Sequence, residues 1–361
     1  MGPVSNLRGG HDPGGDPRDH HRTATEGRGA DNPIPSPIDG SLSIQIRPAE
    51  RRELHAALQM ILGVNGRPAA EEHVVDFLRF AVHRGINLKD TWVAASGGAL
   101  SWAVLPVISP GRTMLLFAPS FIPPQLEQAC IVPLVQRALE SCQSKQVDLA
   151  QILLDPADEH VTRMYCEGCG FEILAELIYL EREVPRATTI PPTEDYTWET
   201  YSAANHDAFA RAVAATYIES LDCPRLNGCR SVEDVLAGHK AAGEFDPALW
   251  MLARAKSPAH GEPAEAGVIL MTRTTRSDAL ELVYLGAAPA HRGRKLSDAM
   301  MRCAFASVAS IGSRRLSLAV DSKNEPALKL YRRHGMSKLC SRLALLRDLR
   351  AGTKGRKISV A

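Results

Sequence analysis

The residues best suited to chemistry follow an apolar strand in the second half of the chain. The segment Leu280–Leu285 is mostly apolar and predicts a strand, and Pro289 makes a turn after it. Arg292, Arg294 and Lys295 then precede a segment with helical periodicity. A helix N-terminus presents unpaired backbone N–H groups and the positive end of the helix dipole. This turn therefore predicts an anion site, and a pyrophosphate is its natural ligand.

A second group of residues follows on the next predicted helix. Asn324 lies at the start of this helix and Tyr331 lies two turns later on the same face. A phenol has an ordinary pKa near 10, so Tyr331 is protonated at neutral pH.

These two segments resemble the signatures of the GNAT N-acetyltransferase superfamily. The first signature, Q/R-x-x-G-x-G/A, is similar to residues 292–297, with Lys295 and Ser297 at the two glycine positions. The second signature, N-x-x-A-x-x-x-Y-x-x-x-G-F, is similar to residues 324–336, with Met336 in place of the final aromatic residue.

The resemblance implies that the chain uses acetyl-CoA as a co-substrate. It implies that the turn holds the pyrophosphate, that the asparagine contacts the CoA arm, and that backbone N–H groups of the splayed central strand stabilise the oxyanion. The implied cofactor-binding residues are Leu285, Gly286, Ala287, Arg292, Gly293, Arg294, Lys295, Leu296, Ser297 and Asn324.

The resemblance also implies the two catalytic residues. Tyr331 would be the acid that protonates the leaving thiolate. Glu281 lies eleven residues before Arg292, where histone acetyltransferases of the superfamily place a catalytic glutamate, so it is the predicted base. The expected reaction is transfer of acetyl to a primary amine by direct attack on the thioester.

The order of predicted elements occurs twice along the chain. Gly170 aligns with Gly335 and, without gaps, Arg182 aligns with Arg347. We therefore expect an α/β fold with a mixed sheet, built from two tandem GNAT-like domains. The first copy lacks the Arg-Gly run and has one residue too many between Tyr165 and its glycine, so we expect a degenerate, non-catalytic domain.

Composition sets the domain limits and excludes several classes of protein. The predicted plan is a disordered tail (1–40), the degenerate domain (41–183), a Pro-rich linker (184–194), the catalytic domain (195–349) and a basic tail (350–361). Net charge is +1 and no window is apolar over the roughly 18 residues of a membrane span, so we expect a cytoplasmic protein that binds neither nucleic acid nor membrane. The Cys166/Cys169 pair has no partner pair, so no metal is expected.

The acceptor stays open at this stage. A small-molecule or peptide amine fits the chemistry, and Glu219 and Asp222 either hold a cationic amine or belong to an ordinary surface loop. The alternative from another class is a non-catalytic protein that binds acyl-CoA or a protein partner, which the lysine and serine at the glycine positions favour. Monomer and homodimer are both compatible with two fused copies.

Overall fold

The computed structural model describes residues 44–64, 66–120, 130–143, 145–186, 188, 194–257, 264–274 and 278–350. The predicted tail at 1–40, part of the 184–194 linker and the basic tail beyond Arg350 lie outside the described residues. Residues 121–129, which include the start of a helix predicted from Gln125, also lie outside them.

The elements of the first half follow the predicted order. Its strands are β1 (Gln45–Pro48), β2 (Trp92–Ser96), β3 (Ala99–Ser109), β4 (Thr113–Phe117), β5 (Leu149–Leu154) and β6 (Glu172–Glu183). Its helices are α1 (Leu54–Ile61), α2 (Glu71–His83), α3 (Val132–Gln143) and α4 (Glu159–Arg163). Apolar residues of α1 and α2 pack on one face of these strands, and those of α3 and α4 on the other.

The second half has the same plan. Its strands are β7 (Tyr196–Thr200), β8 (Trp250–Ala255), β9 (Glu265–Arg273), β10 (Ala279–Ala287), β11 (Arg315–Asp321) and β12 (Ser337–Asp348). Its helices are α5 (His206–Tyr217), α6 (Val232–Lys240), α7 (Leu296–Ser310) and α8 (Glu325–Arg333). Helices α5 and α6 cover one face of the strands, and α7 and α8 cover the other.

The described strands join into one mixed sheet that confirms the expected α/β class. Its order is β1-β2-β3-β4-β5-β12-β6-β11-β10-β9-β8-β7. The last strand of each half is therefore exchanged: β12 pairs with β5 of the first half, and β6 pairs with β11 of the second. The two exchanged strands also pair with each other, so the halves share a continuous sheet centre.

Two equivalent arginines reinforce the exchange. Arg182, near the end of β6, donates a hydrogen bond to the His334 carbonyl in the turn after α8. Arg347, near the end of β12, donates to the Cys169 carbonyl in the corresponding turn of the first half. Gly335 and Gly170, which follow these two carbonyls, have φ of 70° and 69°, a conformation that glycine adopts at little cost. The two halves are thus related by approximate two-fold symmetry.

The extra residue in the first copy has a local explanation. After α4 the backbone continues as a π-helical turn over Met164–Gly168. A π-helical turn holds more residues than an α-helical turn, so it accommodates the residue that breaks the spacing before the glycine. Tyr165 on this turn is fully buried and packs edge-on against Phe171, with ring centroids 5.9 Å apart. This tyrosine is a core residue.

Across the described ranges, none of the helices combines the length and apolarity needed to cross a membrane. The same ranges contain no group of three or more His, Cys, Asp or Glu residues arranged to hold a metal ion. The eight cysteines are free thiols.

Candidate active site

The site is built around an opening between two central strands. β10 pairs with β11 in parallel only as far as Leu282, which lies opposite Leu318. Beyond that point β10 continues along β9 with a register shift between Leu282 and Tyr284, while β11 continues along β6 to Asp321. The edge of β10 that faces β11 is therefore not paired with that strand over the last residues of β10.

A cavity of about 490 Å³ occupies this opening. It is bounded by the end of β10, the turn into α7, the first turns of α8 and the loop after α5. Many of the residues predicted from sequence line it, namely Leu285, Gly286, Ala287, Arg292, Gly293, Lys295, Leu296, Ser297, Asn324 and Tyr331.

The turn into α7 takes the shape that a glycine-rich signature usually provides. Gly293 has φ of 74°, and Lys295, the residue before α7, has φ of 60°. A non-glycine residue in this left-handed region is strained by about 1–2 kcal/mol. Within the described residues no side chain caps the N-terminus of α7, so its first N–H groups are left for a ligand in the cavity. The lysine thus reproduces the glycine backbone at an energetic cost and adds a cation.

Arg292 connects the turn before α7 to neighbouring backbone through hydrogen bonds. Its Nε donates to the Ala287 carbonyl at 3.1 Å, and its Nη2 donates to the carbonyls of Thr216 at 3.2 Å and Ile218 at 2.6 Å. Its Nη1 donates to the Glu219 carbonyl at 3.3 Å. The guanidinium therefore ties the end of α5 to the end of β10, and its charge lies at the cavity wall.

The neighbouring arginine differs in position. Arg294 is exposed, and it does not line the cavity although the sequence assigned it to the cofactor. Its role in cofactor binding stays a prediction. Lys295, one residue later, does line the cavity, so these two adjacent cations form a matched pair for experiment.

Helix α8 supplies Asn324 and Tyr331 from one face, as the spacing predicted. The Asn324 Oδ1 accepts a hydrogen bond from the Ala327 N–H at 3.3 Å and caps the helix. Tyr331 is 7% exposed, and burial followed by the charge of Asp222 raises the pKa of its phenol. Among the described residues its hydroxyl has no protein hydrogen-bond partner, so it is available to a ligand in the cavity.

The loop after α5 brings acidic groups to the same cavity. Glu219 and Cys223 have φ of 53° and 46°, which is strained backbone for such residues. Arg292 holds the Glu219 carbonyl, and the buried Asp321 carboxylate accepts from the Cys223 N–H at 3.3 Å. Asp222 lies between these anchors and lines the cavity. It is an exposed residue, and desolvation by the surrounding protein raises its pKa. The sequence alone does not decide whether Asp222 binds a substrate or belongs to a surface loop.

Glu281 lies on β10 just before the opening but does not line the cavity. It is paired across the sheet with Thr272 on β9 and Ser317 on β11 and is 5% exposed. Its Oε2 has no hydrogen-bond partner among the described residues. Burial raises the pKa of Glu281 to about 7, against the opposing charge of Arg84. A group with this pKa suits proton transfer at neutral pH, and its role as base stays a prediction.

Gly286 allows α5 to approach β10. A Cβ added at Gly286 would lie 2.7 Å from the Thr216 Cβ and 2.8 Å from the Tyr284 hydroxyl. Those two side chains are 3.0 Å apart between Thr216 Oγ1 and Tyr284 Oη. Glycine is therefore required here by close packing, which keeps the end of α5 against the opening.

A charge cluster beside the turn was missed by the sequence reasoning. Asp298, in the first turn of α7, lines the cavity and would repel a phosphate. Arg333 donates to it at 2.8 Å, and His334 Nε2 lies 2.9 Å from the same carboxylate. The signal was available only as an acid near a helix start, which usually stabilises the helix dipole without any ligand.

Comparison with known proteins agrees with this geometry. Residues 216–336 match the acetyltransferase (GNAT) family. A GCN5-related N-acetyltransferase from Sphaerobacter thermophilus superposes with a TM-score of 0.57 at 19% identity, over 86% of this chain and 97% of that one. A GCN5-related glucosamine N-acetyltransferase region of a fungal multi-domain GH3 β-N-acetylglucosaminidase superposes with a TM-score of 0.52 at 13% identity, over 85% of this chain and 38% of that one. Comparison with curated proteins finds no match.

The fold and the matched segment define the class of protein. The chain has the GNAT fold, and residues 216–336 in its second half match the acetyltransferase (GNAT) family model. The match spans the loop after α5, the turn into α7 and α8, which are elements that bound the cavity.

Proposed function

We propose that this protein is an N-acetyltransferase that moves an acetyl group from acetyl-CoA to a primary amine by direct attack on the thioester. The observation that carries the proposal is the meeting of three features in one cavity: the strand opening, the uncapped start of α7, and Tyr331. The pyrophosphate lies on the N–H groups of Leu296 and Ser297 with Lys295 beside it, and Asn324 contacts the pantetheine arm.

The unpaired edge of β10 supports stabilisation of the oxyanion. Backbone N–H groups between Leu285 and Ala287 face the opening, where a thioester oxygen gains charge as the amine adds to the carbonyl carbon. When the C–S bond breaks, Tyr331 protonates the thiolate. Burial of this phenol raises its pKa and keeps it protonated, which suits an acid at neutral pH.

The amine must reach the carbonyl carbon uncharged. Asp222 lines the cavity near Tyr331 and holds the incoming ammonium. Glu281, which lies on β10 outside the cavity wall, accepts the proton through intervening water. A base with a pKa of about 7 predicts that kcat/KM rises with pH up to about 7 and then levels off. In Glu281→Gln this rise of kcat/KM with pH is lost, whereas Asp222→Asn mainly raises the KM for the amine.

Cofactor binding can be tested by two adjacent charge reversals. Lys295→Glu and Arg294→Glu change net charge equally, but only the first alters the cavity wall. We expect calorimetry to show that Lys295→Glu weakens acetyl-CoA binding about tenfold or more, whereas Arg294→Glu has a much smaller effect. Equal weakening would mean that long-range charge, and not this turn, binds the cofactor.

Catalysis can be tested with the two tyrosines at corresponding places in the two halves. Tyr331→Phe should lower kcat about 10²-fold or more with unchanged acetyl-CoA affinity, since it removes only the acid. Tyr165→Phe changes a core tyrosine outside the cavity and should leave kcat unchanged. Tight acetyl-CoA binding without turnover on any amine would favour the alternative, a non-catalytic acyl-CoA-binding protein, for which strain at Lys295 is the supporting observation.

A further inference from the structure

A second cavity, of about 290 Å³, lies where the two halves meet. The first half contributes β3, β4 and the loop after α2, and the second contributes α6 and the turn before it. His239 of α6 lines this cavity and stacks on Tyr284 of the first cavity, with ring centroids 5.4 Å apart. One pair of aromatic rings thus separates the two spaces, and the second cavity is not part of the candidate active site.

The charged groups in its wall are unbalanced. Arg84 and Arg230 line the cavity, and the acid in the wall, Asp90, is already paired with Lys145 at 2.8 Å. Neither arginine forms an ion pair within 4.0 Å among the described residues. Glu281, whose charge acts on Arg84, stands outside the cavity wall.

The hydrogen-bonding groups of the two arginines are only partly used. Arg84 Nη1 donates to the Gly243 carbonyl at 2.6 Å. Arg230 Nε is buried and has no hydrogen-bond partner in the described part of the chain. A buried donor left without a partner is unfavourable, and a guanidinium is matched best by a carboxylate or phosphate, which accepts from two N–H groups at once.

The rest of the wall is largely apolar. It is lined by Phe80, Leu115, Phe117, Leu153 and Val235. Burial holds the pKa of His239 well below its usual value, so the imidazole is neutral and adds no charge to the cavity. The wall therefore offers two cations and an apolar surface, which together suit an organic anion.

We propose that this cavity binds a small organic anion, with its carboxylate or phosphate on Arg230 and Arg84 and its apolar body against the first half. The site exists only because the two halves are joined, since each supplies one of the arginines and part of the wall. It does not depend on the proposed transferase activity, because binding is measured in the absence of acetyl-CoA.

The test uses the full chain with three probes that carry the same phenyl ring: benzoate, its neutral isostere benzamide, and phenyl phosphate. Calorimetry should show that at least one anion binds about tenfold more tightly than benzamide, and the two anions identify which group is preferred. Arg230→Gln should abolish this preference. The control is Arg79→Gln. Arg79 is a cation on the same helix α2, but it pairs with Asp76 on the surface, so this variant should keep the preference for the anion over benzamide.

Melting curves verify that each variant is folded. If Arg230→Gln fails to fold, Arg84→Gln tests the same loss of preference for the anion. Arg230→Lys retains the charge but not the two-pronged guanidinium, so it should bind the anion more weakly than wild type. The proposal is overturned if benzamide binds as well as both anions, if neither anion binds at about 10 mM, or if folded Arg230→Gln and Arg84→Gln both retain the preference.

Discussion

Replacing Glu281 by glutamine removes a buried carboxyl group whose ionisation is opposed by the fold. The pKa of Glu281 rises from 4.5 to about 7 because the side chain is desolvated, and its Oε2 has no partner among the described residues. For an acid with a raised pKa, the unfolded chain ionises first as pH increases. Its stabilising contribution is therefore fully present below about 4.5 and is lost as pH rises through about 7.

The size of the effect follows from the shift. At 1.36 kcal/mol per pKa unit, a rise from 4.5 to about 7 corresponds to about 3 kcal/mol. Glu281→Gln has no carboxyl group to ionise, so it does not lose this stability as pH rises. The free energy of unfolding of the variant minus that of the wild type should therefore increase by up to about this amount from acid to mildly alkaline pH. Urea denaturation followed by tryptophan fluorescence at several pH values over this range measures the difference.

Glu265 provides a control of opposite sign. Desolvation alone would raise the pKa of Glu265, but the hydrogen bond from Arg211 and the charges of Arg211 and Arg254 together lower it. Glu265→Gln should therefore lose stability relative to wild type as pH rises from the acid range. If the difference between Glu281→Gln and wild type were independent of pH, Glu281 would not be a desolvated acid, and its proposed role as a base near neutral pH would fall with it.

Three further changes test the architecture by urea denaturation. Lys295→Gly should raise the free energy of unfolding by up to about 1 kcal/mol, because relief of left-handed strain exceeds the entropic cost of glycine. Lys295→Ala keeps the strain and serves as the control. Equal urea midpoints for the glycine and alanine variants would contradict this prediction. Gly286→Ala should cost about 1–3 kcal/mol, because the new Cβ meets Thr216, and an unchanged midpoint would refute the close packing. Arg182→Ala and Arg347→Ala should each cost about 1.5–3 kcal/mol, because each removes a charged donor from the carbonyl before a corresponding glycine. Arg347 also donates to Gln136 Oε1 and Arg182 lies over the Phe305 ring, so the two losses need not be equal. An unchanged midpoint for either variant would contradict the contribution of these carbonyl contacts.

Most element types could be predicted from the sequence because they depend on local periodicity. The mostly apolar segment Thr113–Phe117 predicts a strand between turns and coincides with β4, and the helical pattern over 71–84 predicts α2, which ends at His83. The spacing of Asn324 and Tyr331 placed both on one face of α8, as observed. Each of these features depends on a short segment of chain, so the residues of that segment are sufficient to predict it.

Features that depend on distant contacts were not predictable in this way. The exchange of β6 and β12 depends on pairing between strands that are far apart in sequence. The apolar pattern of a strand shows which face is buried, but it does not indicate which strand pairs with it. The exposed position of Arg294 and the carbonyl contacts of Arg292 depend on how α5 packs on the turn. The motif indicated which residues surround a cofactor, but not which cations face the cavity.

The exchanged strands also constrain how the chain folds during synthesis. Leu149 on β5 pairs with Asp348 on β12, about two hundred residues later. The first half therefore leaves the ribosome with β5 lacking its partner, and this unpaired strand edge persists until nearly the whole chain has been translated. Because the pairing that completes the first half has such a large sequence separation, we expect slow final assembly. Loss of β12 would then expose the edges of β5 and β6 that pair with it, at the centre of the sheet.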